Sequence, residues 1–292
     1  MKSSGMDRHA RRRKERLSAI LIVVLLCIAV VGLITLGVQA VVRHRAEDTY
    51  AKLAEQTWIN TNKEEISKDS SSQLLSLDDS TEPEKDAISI LEEMGIPIPD
   101  KTVDIAAMRE EVNGDIYAWI YIPDTVIDYP VLQHPTDNSY YLNYNIDGSK
   151  GYPGCIYTEN YNKKDFTDPN TVMYGHNMKN GLMFAGLRKF GDNVYFDEHP
   201  YVYIYTEDTL LVYEIFAAYE SDNEHILYGH DFTDADAFRD YLNGIFQVRS
   251  MNANIRESTV VTEDDRILTL STCIADKPDN RYLVQGVLLN EG

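Results

Sequence analysis

The sequence predicts a mainly β chain, a closed β-barrel with a few peripheral helices, preceded by an N-terminal transmembrane helix. Three observations carry this reading. Residues 17–42, "LSAILIVVLLCIAVVGLITLGVQAVV", hold no charge over 26 positions. From Tyr117 onward, short β-branched and aromatic runs alternate with clusters of Asp, Asn, Gly and Pro, which is how an all-β barrel or sandwich reads. The charge is also unevenly spread. Residues 1–45 hold nine Lys/Arg against Asp7 and Glu15, a net +7, so the chain total of -20 leaves -27 for the remaining 247 residues.

Taken in order, residues 1–16 form a basic tail ending in "RHARRRKER". Positive charge stays on the cytoplasmic side of a span, which predicts an N-in, C-out chain. At about 1.5 Å per residue, 17–42 crosses a hydrocarbon core of roughly 30 Å with some tilt. The competing reading is a cleaved signal peptide, with "GVQA" at 37–40 as a small-residue cleavage site. The apolar run exceeds a usual signal-peptide core, so an uncleaved anchor is expected. Residues 43–86 read as an extracellular linker: 46–66 as a polar helix, and the Ser/Asp-rich 67–86 as a spacer. The main domain is expected over 87–292.

Within that domain "DIAAMREEV" (104–112) has apolar residues at helical spacing behind Asp104. Eight strands follow: "YAWIYIP", "VIDYPVLQ", "GCIYTE", "NTVMYG", "YVYIYT", "TLLVYEIFAAYE", "ILTLST" and "YLVQGVLL". Two helices interrupt them, "LMFAGLRKF" (182–190) and "DADAFRDYLNGIF" (234–246), the latter capped by Thr233 or Asp234. A body this acidic excludes a nucleic-acid partner, because phosphates are repelled. The chain's 20 tyrosines and 43% hydrophobic content exclude a disordered acidic chain.

Export removes Cys27 from consideration, since it lies in the span, and leaves Cys155 and Cys273. One bridge is not needed to stabilise a domain of this size, so a free thiol invites a functional explanation. Cys155, in "GYPGCIYTE", reads as a buried hydrophobe. Cys273 ends the strand "RILTLST". A nucleophilic thiol needs a base or a cation beside it, because little thiolate exists at neutral pH with a pKa of about 8.5. His9 and His44 flank the span. His134, His199 and His225 sit in polar, loop-like contexts and read as solvated. His176 in "TVMYGHNM" stands at a strand end, whereas His230 in "HILYGHDF" leads into a helix start. Arg281 returns towards Cys273 if the last two strands pair as a hairpin. There a guanidinium stabilises an oxyanion and favours the thiolate. Taken singly, each of the three residues has a plainer reading: a structural thiol, a solvated imidazole, an arginine paired with Asp276 or Asp279.

In combination, "TLSTC", an Arg eight residues on, and "YGHNM" about a hundred residues upstream resemble the sortase transpeptidases of Gram-positive bacteria. The likeness spans roughly 104–290. The "TLSTC" form, the helix before the barrel, the long helix at 234–246 and the N-terminal anchor point to class B. The resemblance implies a sortase-type barrel, with Cys273 as nucleophile, His176 as acid/base partner and Arg281 as oxyanion or carbonyl donor. Ser271 and Thr272 are implied to line the groove, and no cofactor or metal is required. It further implies surface proteins with an NPxTG-like sorting signal, cleaved after Thr through a thioacyl intermediate. A peptidoglycan stem or cross-bridge amine is the acceptor, and residues 17–42 hold the enzyme at the membrane. Pilin polymerisation, a cysteine hydrolase and a non-catalytic exported binding domain stand as alternatives.

Overall fold

The protein is described by a computed structural model covering residues 4–58 and 87–290; the predicted spacer 67–86 lies outside the described residues. The chain divides into two units, Met1–Arg45 and Ala46–Gly292. A single helix, α1 (Ser4–Gln56), begins in the first unit and ends in the second. In the first unit its Leu, Ile and Val side chains from Leu17 to Val41 are exposed. By length and composition this helix is apolar enough to cross a membrane.

In the second unit the end of α1 changes character. Ala46, Tyr50 and Leu53, spaced four and three residues apart, form one buried stripe. The Tyr50 hydroxyl donates to the Gly154 carbonyl at 2.7 Å. Just beyond, Trp58 bridges to Lys101, and the Lys101 ammonium is wholly buried against Asp128 at 2.8 Å. That ammonium also lies 4.5 Å from the Trp58 ring centroid. A buried cation is costly unless paired. Here the carboxylate, the Thr57 hydroxyl and the surrounding rings together fix the segment after α1 onto the barrel.

The barrel is built from β1 (Ile116–Tyr121), β2 (Asp128–Leu132), β3 (Ile156–Thr158), β4 (Asn170–Tyr174), β5 (Tyr201–Tyr205), β6 (Leu210–Asp222), β8 (Ile267–Ile274) and β9 (Lys277–Leu288). They run β5-β1-β2-β3-β4-β8-β9-β6, and the β6–β5 pairing closes the ring. The β2–β3 and β4–β8 pairs are parallel; the others are antiparallel. All eight are the strands that the apolar runs predict. β7 (Asn254–Ile255), appended to β6, is unpredicted because two residues carry no periodicity.

Strands such as "IYAWIY" are apolar at successive positions because both of their faces are covered. One core includes Trp119, Tyr203 and Met173; a second lies beneath a long helix at Phe216, Leu283 and Val287. That helix is α7 (Ala235–Phe246), where the Asp234 carboxylate accepts from the amides of Asp236 and Ala237. The shorter helices are α2 (Ala87–Glu93), α3 (Ile105–Glu111), α4 (Tyr140–Asn143), α5 (Asn193–Glu198) and α6 (Ile226–Gly229). Asp104 caps α3 as predicted. The predicted helix at 182–190 is a 3₁₀ turn, Phe184–Gly191. The turn between the "ILTLST" and "YLVQGVLL" runs is shorter than those runs imply: β8 extends to Ile274 and β9 starts at Lys277, so "IADKPDN" is mostly strand and Arg281 lies inside β9.

Candidate active site

The site follows from strand register. In the parallel β4–β8 pair, Asn170 faces Ile267 and Tyr174 faces Ser271. The same offset carried two residues past the end of β4 sets His176 opposite Cys273. The ladder does continue beyond the strand. The Gly175 amide donates to the Ser271 carbonyl at 3.2 Å. The Thr272 hydroxyl donates to the Gly175 carbonyl at 2.7 Å, and the Asn177 side-chain amide donates to the Cys273 carbonyl at 2.9 Å. On the other side, Cys273 faces Arg281 in the antiparallel β8–β9 pair, next to a bulge between Cys273 and Ile274. His176, Cys273 and Arg281 therefore lie in one row across adjacent strands.

All three line one cleft of about 220 Å³, together with Tyr157, Glu159, Tyr174, Ser271 and His225. Cys273 is the exposed position at the end of an otherwise buried strand, and its thiol is free. Gly175 explains why "YGH" carries a glycine: a Cβ there would approach Ile156 Cδ1 at 2.5 Å and the Phe184 ring at 2.8 Å. The loop can therefore turn His176 outwards only while its neighbour has no side chain. His176 Nε2 lies 2.7 Å from the Leu142 carbonyl. A neutral ring donating there keeps Nδ1 as its acceptor. The Tyr152 ring packs edge-on at 5.0 Å.

Arg281 Nη1 donates to the carbonyls of Pro278 at 3.0 Å and Asn280 at 2.9 Å. These bonds brace the guanidinium on its own hairpin. Its Nε and Nη2 have no hydrogen-bond partner among the described residues. The plainer alternative, Arg281 paired with Asp276 or Asp279, is absent among the described residues; Asp276 lies instead 3.8 Å from Arg188. Ser271 and Thr272 both border the cleft but are nearly buried, and the Thr272 hydroxyl is committed to Gly175.

The other sequence candidates separate from this row. Cys155 is buried, and its Sγ accepts from Tyr50 Oη at 3.2 Å; burial pushes its thiol pKa up to about 12. No disulfide joins the two thiols. His230 packs on Tyr241 of α7, and His134 Nδ1 accepts the Asp137 amide in a turn. His199 Nδ1 lies 2.7 Å from the Tyr195 carbonyl, so the solvated reading of that ring is corrected.

The same holds for His225, which lines the cleft with Nε2 2.7 Å from the Glu159 carboxylate. Burial raises the Glu159 pKa, and the nearby His225 opposes that shift. The Tyr174 phenol is raised by burial and then by the Glu159 charge. The sequence holds no signal for this pair, because the partners stand 66 positions apart in unrelated loops.

The family model for the sortase domain matches residues 120–289. Sortase B of Listeria monocytogenes serovar 1/2a (strain ATCC BAA-679 / EGD-e) is 38% identical over 184 residues, covering 62% of this chain and 73% of that protein. The structure of Clostridium perfringens sortase B matches with a TM-score of 0.57 at 30% identity, over 63% of this chain and 98% of that one. That of Listeria monocytogenes sortase B matches at 0.54 and 37%, over 63% and 99%. The chain belongs to the sortase family, and within it to class B, the cysteine transpeptidases that attach proteins to the cell wall.

Proposed function

We propose that Cys273 is the nucleophile of this transpeptidase, with His176 as its acid/base partner and Arg281 as the oxyanion donor. The observation that carries this assignment is the row set by the β4–β8 and β8–β9 registers, ending in an exposed, free thiol. The Cys273 thiolate attacks the threonine carbonyl of an NPxTG-like sorting signal. The oxyanion that develops accepts from the guanidinium of Arg281, whose brace on Pro278 and Asn280 limits reorganisation during the step. As the carbon–nitrogen bond breaks, protonated His176 gives its proton to the leaving amine, and a thioester remains on Cys273. A peptidoglycan stem or cross-bridge amine then attacks the thioester. His176 takes the amine's proton, a new amide forms and the thiolate leaves. Ser271 and Thr272 border the groove, the latter as a strut holding Gly175 and hence His176.

The basic tail 1–16 and the span 17–42 set the unit from Ala46 onward outside the cell with the N-terminus inside. The exposed apolar stretch of α1 supports membrane anchoring.

Mass spectrometry of the detergent-solubilised full-length chain with an Asn-Pro-Ala-Thr-Gly peptide tests this reading. It predicts a thioester on Cys273 carrying the peptide up to threonine, discharged as an amide when Gly-Gly or a diaminopimelate-like amine is added. An adduct elsewhere overturns the assignment of the nucleophile. Hydrolysis that prevails at high amine concentration overturns the proposed acceptor step.

A further inference from the structure

We infer that the turn of α1 from Glu47 to Tyr50 sets the His176 imidazole by holding the chain segments on both sides of that ring. Glu47 and Tyr50 are thus positioning residues for proton transfer. This rests on the proposed acid/base role of His176.

The first segment runs through Gly154. The buried Tyr50 hydroxyl donates to the Gly154 carbonyl at 2.7 Å. On its other side Gly154 meets the catalytic ring. A Cβ there would lie 2.7 Å from the Tyr141 carbonyl oxygen, and 3.3 Å from both the Leu142 carbonyl oxygen and His176 Cδ2. Its φ of +68° suits glycine as well. Gly154 is therefore wedged between α1 and the two groups that define the ring's orientation, the imidazole and the Leu142 carbonyl 2.7 Å from its Nε2. The Cys155 amide ties the same segment to α4, donating to the Tyr141 carbonyl at 2.9 Å.

The second segment is the loop that follows His176. The Asn180 side-chain amide donates to Glu47 Oε1 at 2.8 Å. The Met183 amide donates to the Tyr129 hydroxyl at 3.1 Å, and the Tyr129 ring packs edge-on against Tyr50 with centroids 5.7 Å apart. The Phe184 amide then returns to the His176 carbonyl at 3.0 Å. The loop is thus closed on itself and pinned to α1. A pocket of about 130 Å³ opens between these contacts, bordered by Ala51, Ala54, Leu182 and Met183. That part of the interface is unfilled, so helix and loop meet there through discrete hydrogen bonds. Alignment matters at this ring, because a displacement of about 1 Å costs about 10²-fold in rate.

The test separates proton delivery from binding. Acylation of Cys273 by the amide Asn-Pro-Ala-Thr-Gly needs a proton on the leaving amine. The thiophenyl thioester of Asn-Pro-Ala-Thr expels a stable thiolate as the new sulfur–carbonyl bond forms, and needs no general acid. Single-turnover acylation by each is followed with detergent-solubilised full-length enzyme. Tyr50→Phe keeps the ring and removes only the hydroxyl; it should slow the amide about tenfold or more and the thioester less than about twofold. Glu47→Ala should act in the same direction, and Glu47→Gln, which keeps an acceptor oxygen, should recover most of that loss. The double variant Glu47→Ala/Tyr50→Phe should approach a loss of about 10²-fold on the amide. Equal slowing on both substrates, as damage to the fold or groove would cause, overturns the inference. So does wild-type amide acylation in both Tyr50→Phe and Glu47→Ala. If His176→Ala slows the two substrates equally, the acid/base role of His176 fails first, which separates the two claims.

Discussion

The two cysteines of the barrel unit occupy comparable places, one just before β3 and one at the end of β8, yet their surroundings are opposite. Cys155 sits where the end of α1 covers the barrel. Tyr50 donates to it, and its thiol stays neutral because burial pushes its pKa to about 12. Cys273 stands on the uncovered rim, exposed, with Arg281 across one strand pair. A strand end is not in itself a reactive place. What decides is whether a helix covers it or a cation faces it.

Exchanging the roles gives the largest contrast. Cys273→Ala should abolish thioester formation and transpeptidation altogether, while Cys155→Ala keeps wild-type turnover. With iodoacetamide at neutral pH, Cys273 should label in the folded chain and Cys155 only after denaturation. Equal labelling of both thiols would remove the contrast. A smaller loss is expected across the β8–β9 hairpin. Arg281→Ala should lower kcat/KM about 10²–10³-fold, the usual effect of deleting one oxyanion donor, while Cys273 remains alkylatable. Arg281→Lys should recover only part of it, because an ammonium cannot both brace on the Pro278 and Asn280 carbonyls and offer a second planar donor.

The legibility of the sequence follows the same division. The eight strands were readable because aromatic and β-branched runs sit between turn residues. His176 and Cys273 were readable as strand ends, and Arg281 from the hairpin it implied. The turn was misplaced, since polar residues in "KPDN" continue β9 where it is exposed and has no apolar alternation to show. The Glu159–His225 contact was invisible, because it depends on how the loop after β6 folds over β3, and no local pattern encodes that. The Asn177 and Thr272 bonds that tie "YGHNM" to "TLSTC" were missed for the same reason, although both residues were already inside the quoted motifs.

The smallest effect tests the covered side alone. In the folded protein the Cys155 pKa is raised from 9.0 to about 12. A raised pKa means that the unfolded chain loses its proton first. The contribution to stability is therefore complete below about pH 9 and is lost as pH rises towards 12. At pH 10, one unit above the unfolded value, the loss amounts to about 1.4 kcal/mol. Denaturant unfolding of full-length wild type and Cys155→Ala at pH 8 and pH 10 isolates this term, because buried tyrosines such as Tyr117 and Tyr174 titrate in both chains. Wild type should lose about 1.4 kcal/mol more than the variant over that interval. An equal loss in both would mean that the thiol ionises as readily under α1 as in the unfolded chain, and cover by α1 would then not be what separates Cys155 from Cys273.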